Sequence, residues 1–364
     1  MQPKRPTTLN QTDNKADYDL TDRHVVVTGG TGSLGSALVE RLLADQTEPP
    51  ATVTVFSRDE SKQHDMRLRF LAKPLATDEV IYSAAHPRLR FHVGDVRDRD
   101  SVRAGVRNAD VVIHAAALKQ VPTCERFPNE AIRTNVEGTV NVIEATAGRV
   151  ARVIGVSTDK ACEPTNVLGM TKALMERLLI QANIGHSCPG SLTPTTFASV
   201  RYGNVLASRG SVIPLFLQQR AMGVPLTITS TEMTRFFMSI SDAVDAVLHA
   251  VRTARPGEIL VSPMQAAKVS SLVEALVGAG APIKITGVRP GEKLHESLIG
   301  TEEWRRTVRR GQTLVITPML AELASHKKPD LTGPHLSSEN LMSVAMISDM
   351  LERAGIEVAE GTSL

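Results

Sequence analysis

The amino-acid sequence predicts an α/β protein with an open, doubly wound parallel sheet and a smaller substrate-binding part toward the C-terminus. Three observations carry this. Short apolar runs alternate with segments of helical period over more than half of the chain. Hydrophobic residues make up 42% and aromatics only 3%, so an aliphatic core must bury the surface, as between the faces of a parallel sheet. A glycine-rich turn joins the first apolar run to the first helical segment.

Taken in order, residues 1–22 show no periodicity and are expected to form a flexible tail, unless Tyr18 and Leu20 pin it to the body. Val25-Val26-Val27 reads as a strand, Leu34/Leu38/Leu42 at spacing four as a helix, and Val53-Thr54-Val55-Phe56 as the second strand. Residues 73–88, with proline near each end, read as a surface excursion. Leu89–Val93, Val111–Ile113, Val153–Val156 and Phe197–Val200 continue the alternation, each of the first three followed by a loop and a helix-like segment. Beyond 204 the pattern weakens, and Gly, Pro and Arg cluster through about 235 and again near 289. A helix around Ala243 to Val251 and a strand at Ile259–Val261 are expected to return to the main sheet. An amphipathic helix from Leu341 to Leu351, capped by Ser337 or Ser338, closes the chain. The expected division is therefore a dinucleotide-binding part over 23–204 plus about 238–262, a substrate-binding part over 205–237 plus about 263–335, and a C-terminal helix and tail over 336–364.

Composition excludes several classes. At 364 residues, with roughly 150 per domain, there is room for two domains. Lys and Arg number 41 against 39 Asp and Glu, a net charge of +2 that gives no basic surplus for a nucleic-acid backbone. Cys124, Cys162 and Cys188 form no CxxC pair and there is no HExxH, so no metal site is expected and a reducing compartment is. With no apolar run long enough to span a bilayer or direct export, the expectation is a soluble cytoplasmic protein without membrane partners.

The turn Thr28-Gly29-Gly30-Thr31-Gly32-Ser33-Leu34-Gly35 satisfies both G-x-x-G-x-x-G and G-x-G-x-x-G in the strand-to-helix setting that a Rossmann-like dinucleotide site requires. Its glycines let backbone approach a pyrophosphate, and the helix N-terminus offers unpaired N–H groups and partial positive charge. The second strand ends Ser57-Arg58-Asp59, with Lys62 beyond. An arginine there suits a 2′-phosphate through a charge-assisted contact, so NADP is favoured, while nearby Asp59 keeps NAD open. Asp95, before Val96, reads either as the acceptor of the adenine amine or as a turn residue.

VTGGTGSLG, FSRDESKQHDM, GDVRD, HAAALKQVP, TNVEGTVNVIEA, STDKACEPTNVLGMTK, RYGNVLASRGSVIP, MTRFF and GVRPGEKLHE follow one another in order. From about His24 to about Ile299 this series resembles the UDP-N-acetylglucosamine 4,6-dehydratases of the extended short-chain dehydrogenase/reductase superfamily, in their short form without membrane segments. The resemblance implies transient oxidation at C4 of the sugar, loss of water across C5 and C6, and return of hydride to C6.

It also implies roles. Asp159 protonates the departing C6 hydroxyl, Lys160 removes H5, Thr158 bonds the sugar at O4, and Lys172 binds the nicotinamide ribose. For these roles the Lys160 pKa must fall and that of Asp159 must rise, which requires the two side chains to diverge. Four residues before Lys172 stands Leu168, where the superfamily has tyrosine, so the usual O4 base is absent and Asp159, or a water it orients, is the first substitute. Ala115, Ala116 and Ala117 leave room for the cofactor. Lys119 reaches the sugar or diphosphate, or is a solvated loop lysine. Asn135 reads as a buried structural amide. Arg209, Ser211, Arg235 and Arg289 are the candidates for the substrate diphosphate, Glu292 for the uridine ribose and Asn204 for a further substrate contact. The pairs Arg305-Arg306 and Arg309-Arg310 read as a solvated face. An alternative activity is UDP-sugar 4-epimerisation, and another is a non-catalytic dinucleotide-binding protein. A homo-oligomer is expected.

Overall fold

The computed structural model describes residues 17–71, 85–184, 194–208, 210–324 and 327–358; Cys188, Arg209 and most of the excursion at 73–88 lie outside the described residues. The main sheet is built from β1 (His24–Thr28), β2 (Thr52–Ser57), β3 (Leu89–Val93), β4 (Val111–His114), β5 (Arg152–Val156) and β6 (Thr196–Arg201). Between them run α1 (Ser33–Ala44), α2 (Glu60–Phe70), α3 (Arg99–Gly105), α4 (Val121–Arg126), α5 (Pro128–Ala131), α6 (Gly138–Thr146) and α7 (Val167–Gln181). The smaller part contributes β7 (Asn204–Val205), α8 (Val212–Ala221), β8 (Leu226–Ile228) and β9 (Thr234–Met238). Then follow α9 (Ile240–Thr253), β10 (Ile259–Val261), β11 (Gln265–Lys268), α10 (Val269–Val277), β12 (Ile283–Ile285) and β13 (Ser297–Ile299). The chain ends with β14 (Thr307–Arg310), β15 (Thr313–Ile316), β16 (His335–Leu336) and α11 (Val344–Arg353).

The main sheet has the order β14-β15-β10-β6-β5-β4-β1-β2-β3. From β10 to β3 all pairings are parallel, while β14 and β15 are antiparallel. The alternation of the strands explains the two layers of helix. Val25, Val27, Val53 and Val55 face a core with Leu38 and Leu42 of α1 and Val244, Val247 and Val251 of α9. Val26, Phe56 and Val153 face the other, with Val142 of α6 and Met175 and Leu179 of α7. Strands buried on both faces need apolar residues at every position, which is why the runs are continuous rather than alternating. A separate core joins α8, β8, α10 and α11.

Several expectations are corrected. Residues 17–22 are not a loose tail: Leu20 is buried, and the Tyr18 ring stacks under the Arg23 and Arg152 guanidinium groups. Residues 307–316, assigned to the substrate part, form a hairpin that extends the main sheet, turning at Gly311 with φ +59°. Arg305 and Arg309 are exposed, but Arg306 bonds the Thr317 carbonyl and Arg310 reaches Glu258 at 2.5 Å, so half of the expected solvated face is spent on the hairpin. The last helix starts at Val344 with Ser343 as its cap, because Leu341 and Met342 are drawn into bridges with Ala266. It packs into the core of the smaller part. Ser337 is not a cap; it is buried and bonds Thr234 and the Glu296 backbone N–H.

Two buried polar networks hold the strand ends in place. Arg201, 1% exposed at the end of β6, spends all five donors: Nε and Nη2 on Glu176 of α7, Nη1 and Nη2 on Glu303, and Nη1 also on the Leu298 carbonyl. Burial opposes ionisation of Glu303, yet Arg201 holds its pKa down at about 2. Ser157 donates to Glu176 at 2.6 Å.

The second network centres on His114 at the end of β4. Thr139 donates to the Asn135 carbonyl, so it accepts from His114 Nε2, and His114 Nδ1 accepts from Thr28. Thr28 in turn accepts from the Ala116 N–H. Asn135 takes the Leu118 N–H and donates to the Leu118 carbonyl and to Thr171. The loop after β4 is thus tied to β1, to the π-helical turn Ile132–Glu137 and to α7. Complete burial, with Lys172 nearby, pushes the His114 pKa down to about 3.

Removing Arg201 strands two buried carboxylates, so Arg201→Met should cost about 3–5 kcal/mol in chemical denaturation, and a loss under about 1 kcal/mol would sink this account. The His114 imidazole refuses a proton when folded and takes one when unfolded, between its ordinary pKa of 6.5 and about 3. Stability should therefore fall as pH drops through that window, by up to about 1.4 kcal/mol per pH unit. His114→Gln should flatten the pH dependence of the denaturation midpoint; parallel curves for the two proteins would exclude His114 as its source.

Candidate functional site

The glycine turn has the shape of a dinucleotide cradle. Gly29, with φ +67°, lies so close to the loop after β4 that an added Cβ would come within 2.8 Å of the Ala116 nitrogen. At Gly35 a Cβ would strike the Gly29 carbonyl and reach 2.6 Å from the Gly30 Cα. Gly32 meets only the Gly29 carbonyl, at 3.1 Å, and starts α1 with no side-chain cap and no acid in the first turn formed by Ser33, Leu34 and Gly35. An uncapped helix start beneath an open glycine fits a pyrophosphate. Ala115, Ala116 and Ala117 are half-buried along one wall, and Val96 is buried, its side chain 2.9 Å from where a Cβ of Gly138 would stand.

At the far end of the cradle the expected ligands divide. Arg58 is 57% exposed and only 3.9 Å from Asp95, the one held toward the other. Asp59 is turned to its own helix, where it caps α2 and pairs with Lys62. The Ser57 hydroxyl is engaged with Thr31 at 2.8 Å. Asp95 is clamped by Arg97 through Nε and Nη2 at 2.6–3.1 Å, and this guanidinium outweighs burial to lower its pKa. Of the four side chains, Arg58 is the one whose head the described partners leave accessible to a 2′-phosphate.

The chemistry-bearing side chains gather after β5, at the C-terminal ends of the parallel strands, where open α/β sheets hold ligands. Asp159 has no exposed surface; Thr158 donates to its Oδ1 at 2.9 Å. The expected divergence of Asp159 and Lys160 is not found: Lys160 Nζ lies 3.0 Å from the same Oδ1. Burial pulls the Lys160 pKa down, but Asp159 and Glu296 outweigh it, so the net shift is upward. Resting Lys160 is an ammonium and not a base. The oxygen Asp159 Oδ2 is buried without a partner among the described residues, facing Gly203, where a Cβ would sit 3.0 Å from it.

Lys172 behaves in the opposite way. Its Nζ donates to the Val156 carbonyl at 2.8 Å, and burial lowers its pKa to about 8. Leu168, in place of tyrosine, is buried with Cys124 and Ala131 in a small apolar cluster, so no hydroxyl enters the site from that helix face.

The substrate candidates are only partly brought together. Asn204 Oδ1 is 3.4 Å from Lys160 Nζ. Arg235, buried, donates to the Thr234 carbonyl at 2.7 Å and lies 3.6 Å from Glu292. The segment carrying Glu292 is strapped over the turn after β5: Thr165 and Asn166 donate to the Gly291 carbonyl, and Lys293 donates to the Cys162 carbonyl. Arg289 is exposed on the same turn, its N–H 3.4 Å from Glu292 Oε2. Ser211 caps nothing, its buried hydroxyl having no partner, and Lys119 is exposed. Arg209 lies outside the described residues.

Sequence reasoning missed Glu296. It is 3% exposed, 3.5 Å from Lys160 and 4.0 Å from Arg235, with Oε2 buried and without a hydrogen-bond partner among the described residues. Its signal was slight: an acid closing the GVRPGEKLHE segment directly before the buried strand β13. His114 was missed as well, since a lone histidine after three apolar residues gives no hint of its partners.

Residues 25–318 match the polysaccharide biosynthesis protein family. The chain is 45% identical over 289 residues to a UDP-glucose 4-epimerase of Rickettsia akari, covering 78% of this chain and 80% of that protein. It superimposes on the X-ray structure of Pen from Bacillus thuringiensis with a TM-score of 0.81 and 32% identity, covering 92% of this chain and 99% of that one. The fold also matches the dTDP-glucose 4,6-dehydratase DesIV of Streptomyces venezuelae, solved with NAD and TYD bound, at a TM-score of 0.60 and 22% identity over 74% of this chain and 86% of that one. The chain thus belongs to the polysaccharide biosynthesis protein family and has the extended short-chain dehydrogenase/reductase fold of enzymes that modify nucleotide sugars.

Proposed function

We propose that the protein is a UDP-N-acetylglucosamine 4,6-dehydratase, forming a UDP-4-keto-6-deoxy sugar. The observation that carries this is the buried Asp159–Lys160 pair after β5, in a site whose helix offers Leu168 rather than a tyrosine hydroxyl. A nicotinamide dinucleotide on the glycine cradle supplies reversible oxidation at C4, which acidifies H5. The residues of the chain move the protons. Asp159 accepts the O4 proton, with Thr158 oriented toward it, and returns that proton to the hydroxyl leaving C6. Lys160 takes H5 and gives it back to C5, so the cycle releases only water. Lys172 holds the nicotinamide ribose. Arg235 and Arg289 are the residues assigned to the diphosphate, with Arg209 a candidate from the sequence alone, Glu292 is assigned to the uridine ribose, and Asn204, Ser211 and Lys119 to further substrate contacts.

A second reading, 4-epimerisation of a UDP-sugar, is supported by the name of the 45% identical Rickettsia relative. It needs one proton shuttle at O4 and leaves Lys160 without a task. NADP is the favoured dinucleotide because Arg58, just beyond β2, is an exposed guanidinium suited to a 2′-phosphate and Asp59 is committed to α2. Among the described residues no helix is long and apolar enough to cross a membrane, and we take the enzyme to act in the cytoplasm. Exposed Phe127 between α4 and α5, Ile132 in the π-helical turn, and Met170 and Leu174 of α7 support a homo-oligomer.

Purified protein incubated with UDP-N-acetylglucosamine should yield a product lighter by one water. An unchanged mass with inverted C4 would replace this reading by epimerisation, and no product at all would favour a binding protein. Lys160→Ala should abolish exchange of H5 with deuterated solvent while leaving the dinucleotide bound; surviving exchange would assign that proton to another base. Arg58→Ala should weaken NADP by about 10- to 100-fold, the equivalent of one charge-assisted contact, and NAD far less. Equal losses for the two dinucleotides would overturn the preference.

A further inference from the structure

Lys160 is enclosed by acceptors. Its Nζ lies 3.0 Å from Asp159 Oδ1, 3.4 Å from Asn204 Oδ1 and 3.5 Å from Glu296 Oε1. An ammonium has three donors and no lone pair, so this arrangement occupies all three. Under the dehydration reading, on which this inference rests, Lys160 must lose one proton before it can take another from C5. The amide oxygen of Asn204 does not accept a proton, and Asp159 already carries the one from O4. Glu296 is what remains, and its Oε2 is buried with no partner.

We propose that Glu296 is the positioning residue that makes Lys160 a base, by accepting a proton from its ammonium group inside the closed site. The N–H bond of Lys160 breaks and an O–H bond forms on Glu296, leaving a neutral amine beside a neutral carboxylic acid. The amine lone pair then takes H5. The C5–H electron pair becomes the C5–C6 double bond as the C6 oxygen departs with the proton from Asp159. When Lys160 returns its proton to C5, Glu296 returns the borrowed one to Lys160, and no charge crosses the protein surface.

The surroundings of Glu296 suit this exchange. Arg235 of β9 lies 4.0 Å from Oε1 and is itself shared with Glu292 at 3.6 Å. Ser337 holds its backbone N–H, and His295 beside it is engaged with Thr234. Asp159 also contacts Lys160, at 3.0 Å. A transfer within a buried pair replaces two charges by none, which the low dielectric of the site favours.

The test separates this role from a static one because the two predict opposite signs. If Glu296 only raised the proton affinity of Lys160, Glu296→Gln would free the amine and speed turnover near neutrality. If Glu296 accepts the proton, wild-type kcat with UDP-N-acetylglucosamine should be flat across neutral pH. Glu296→Gln should then lower kcat about 100-fold at pH 7, leave KM unchanged, and turn over faster as pH rises and solvent removes the proton instead. A Glu296→Gln enzyme as fast as wild type at pH 7, or impaired through KM alone, overturns the proposal. Should that variant fail to fold, Glu296→Asp keeps the carboxylate but withdraws it by one methylene; a kcat reduced about tenfold at constant KM is expected, and an unchanged kcat overturns the proposal. Wild-type product mass is read in parallel, so failure of the dehydration reading shows as a missing water loss in wild type and failure of this inference as an active Glu296→Gln.

Discussion

The architecture depends on a single buried guanidinium. Arg201 ends β6, and its two carboxylate partners come from elements far apart in sequence, Glu176 on α7 and Glu303 after β13. A buried ion pair is weak evidence for net stability, since desolvation offsets most of its attraction, but it is strong evidence for register. Five short bonds fix where α7, β6 and the segment after β13 meet. The residues that follow inherit that position: Tyr202 accepts the Asp159 N–H through its carbonyl, Gly203 faces Asp159 Oδ2, and Asn204 reaches Lys160. The same anchor carries Leu298, two residues beyond Glu296, so both carboxylates around Lys160 are set by one cation that touches neither.

The two lysines of the site show how environment decides chemistry when residue type is held constant. Lys172 meets a backbone carbonyl and the Met175 sulfur, partners that compensate poorly for lost water, and its pKa falls to about 8. Lys160 meets two carboxylates, and its pKa rises. A rule that looked only at burial would treat them alike. Under the proposed function, proton transfer by Lys160 would therefore involve the whole cluster.

Much of the fold was legible because strands covered on both faces leave an unmistakable trace. Val25–Val27, Val53–Phe56 and Val111–Ile113 carry almost no polar interruption, and the glycine turn after β1 marks the passage from strand to helix. The hairpin β14–β15 was not legible: it sits at the sheet edge, where one face is wet and alternate arginines are tolerated, and Arg306 and Arg310 look like surface until their partners are seen. The start of α11 failed for a different reason. Bridges from Leu341 and Met342 to Ala266 are tertiary, and they override a helical period that runs on through them. At the site, Thr158, Asp159, Lys160 and Lys172 are singled out by the family resemblance of their segment, and the structure brings Thr158, Asp159 and Lys160 within hydrogen-bond reach of one another. Glu296 reaches Lys160 only because Gly291 and Lys293 dock on residues 162–166, a contact across more than a hundred residues that no local pattern encodes.

The loss of the tyrosine can be followed to its consequence. Leu168 does more than omit a hydroxyl; packed with Cys124 and Ala131, it closes the space through which another donor could arrive from α7. Under the proposed dehydration, the O4 proton would be exchanged with the Thr158–Asp159 pair. A proton taken up there is already beside the group that leaves C6, so the same carboxyl can serve oxidation and elimination in turn. An epimerase would have no use for that second delivery, nor for a lysine and a second buried carboxylate a few ångströms away. Under the proposed dehydration, the desolvation cost of burying Asp159, Lys160 and Glu296 together would be offset by the successive proton transfers that the three groups share.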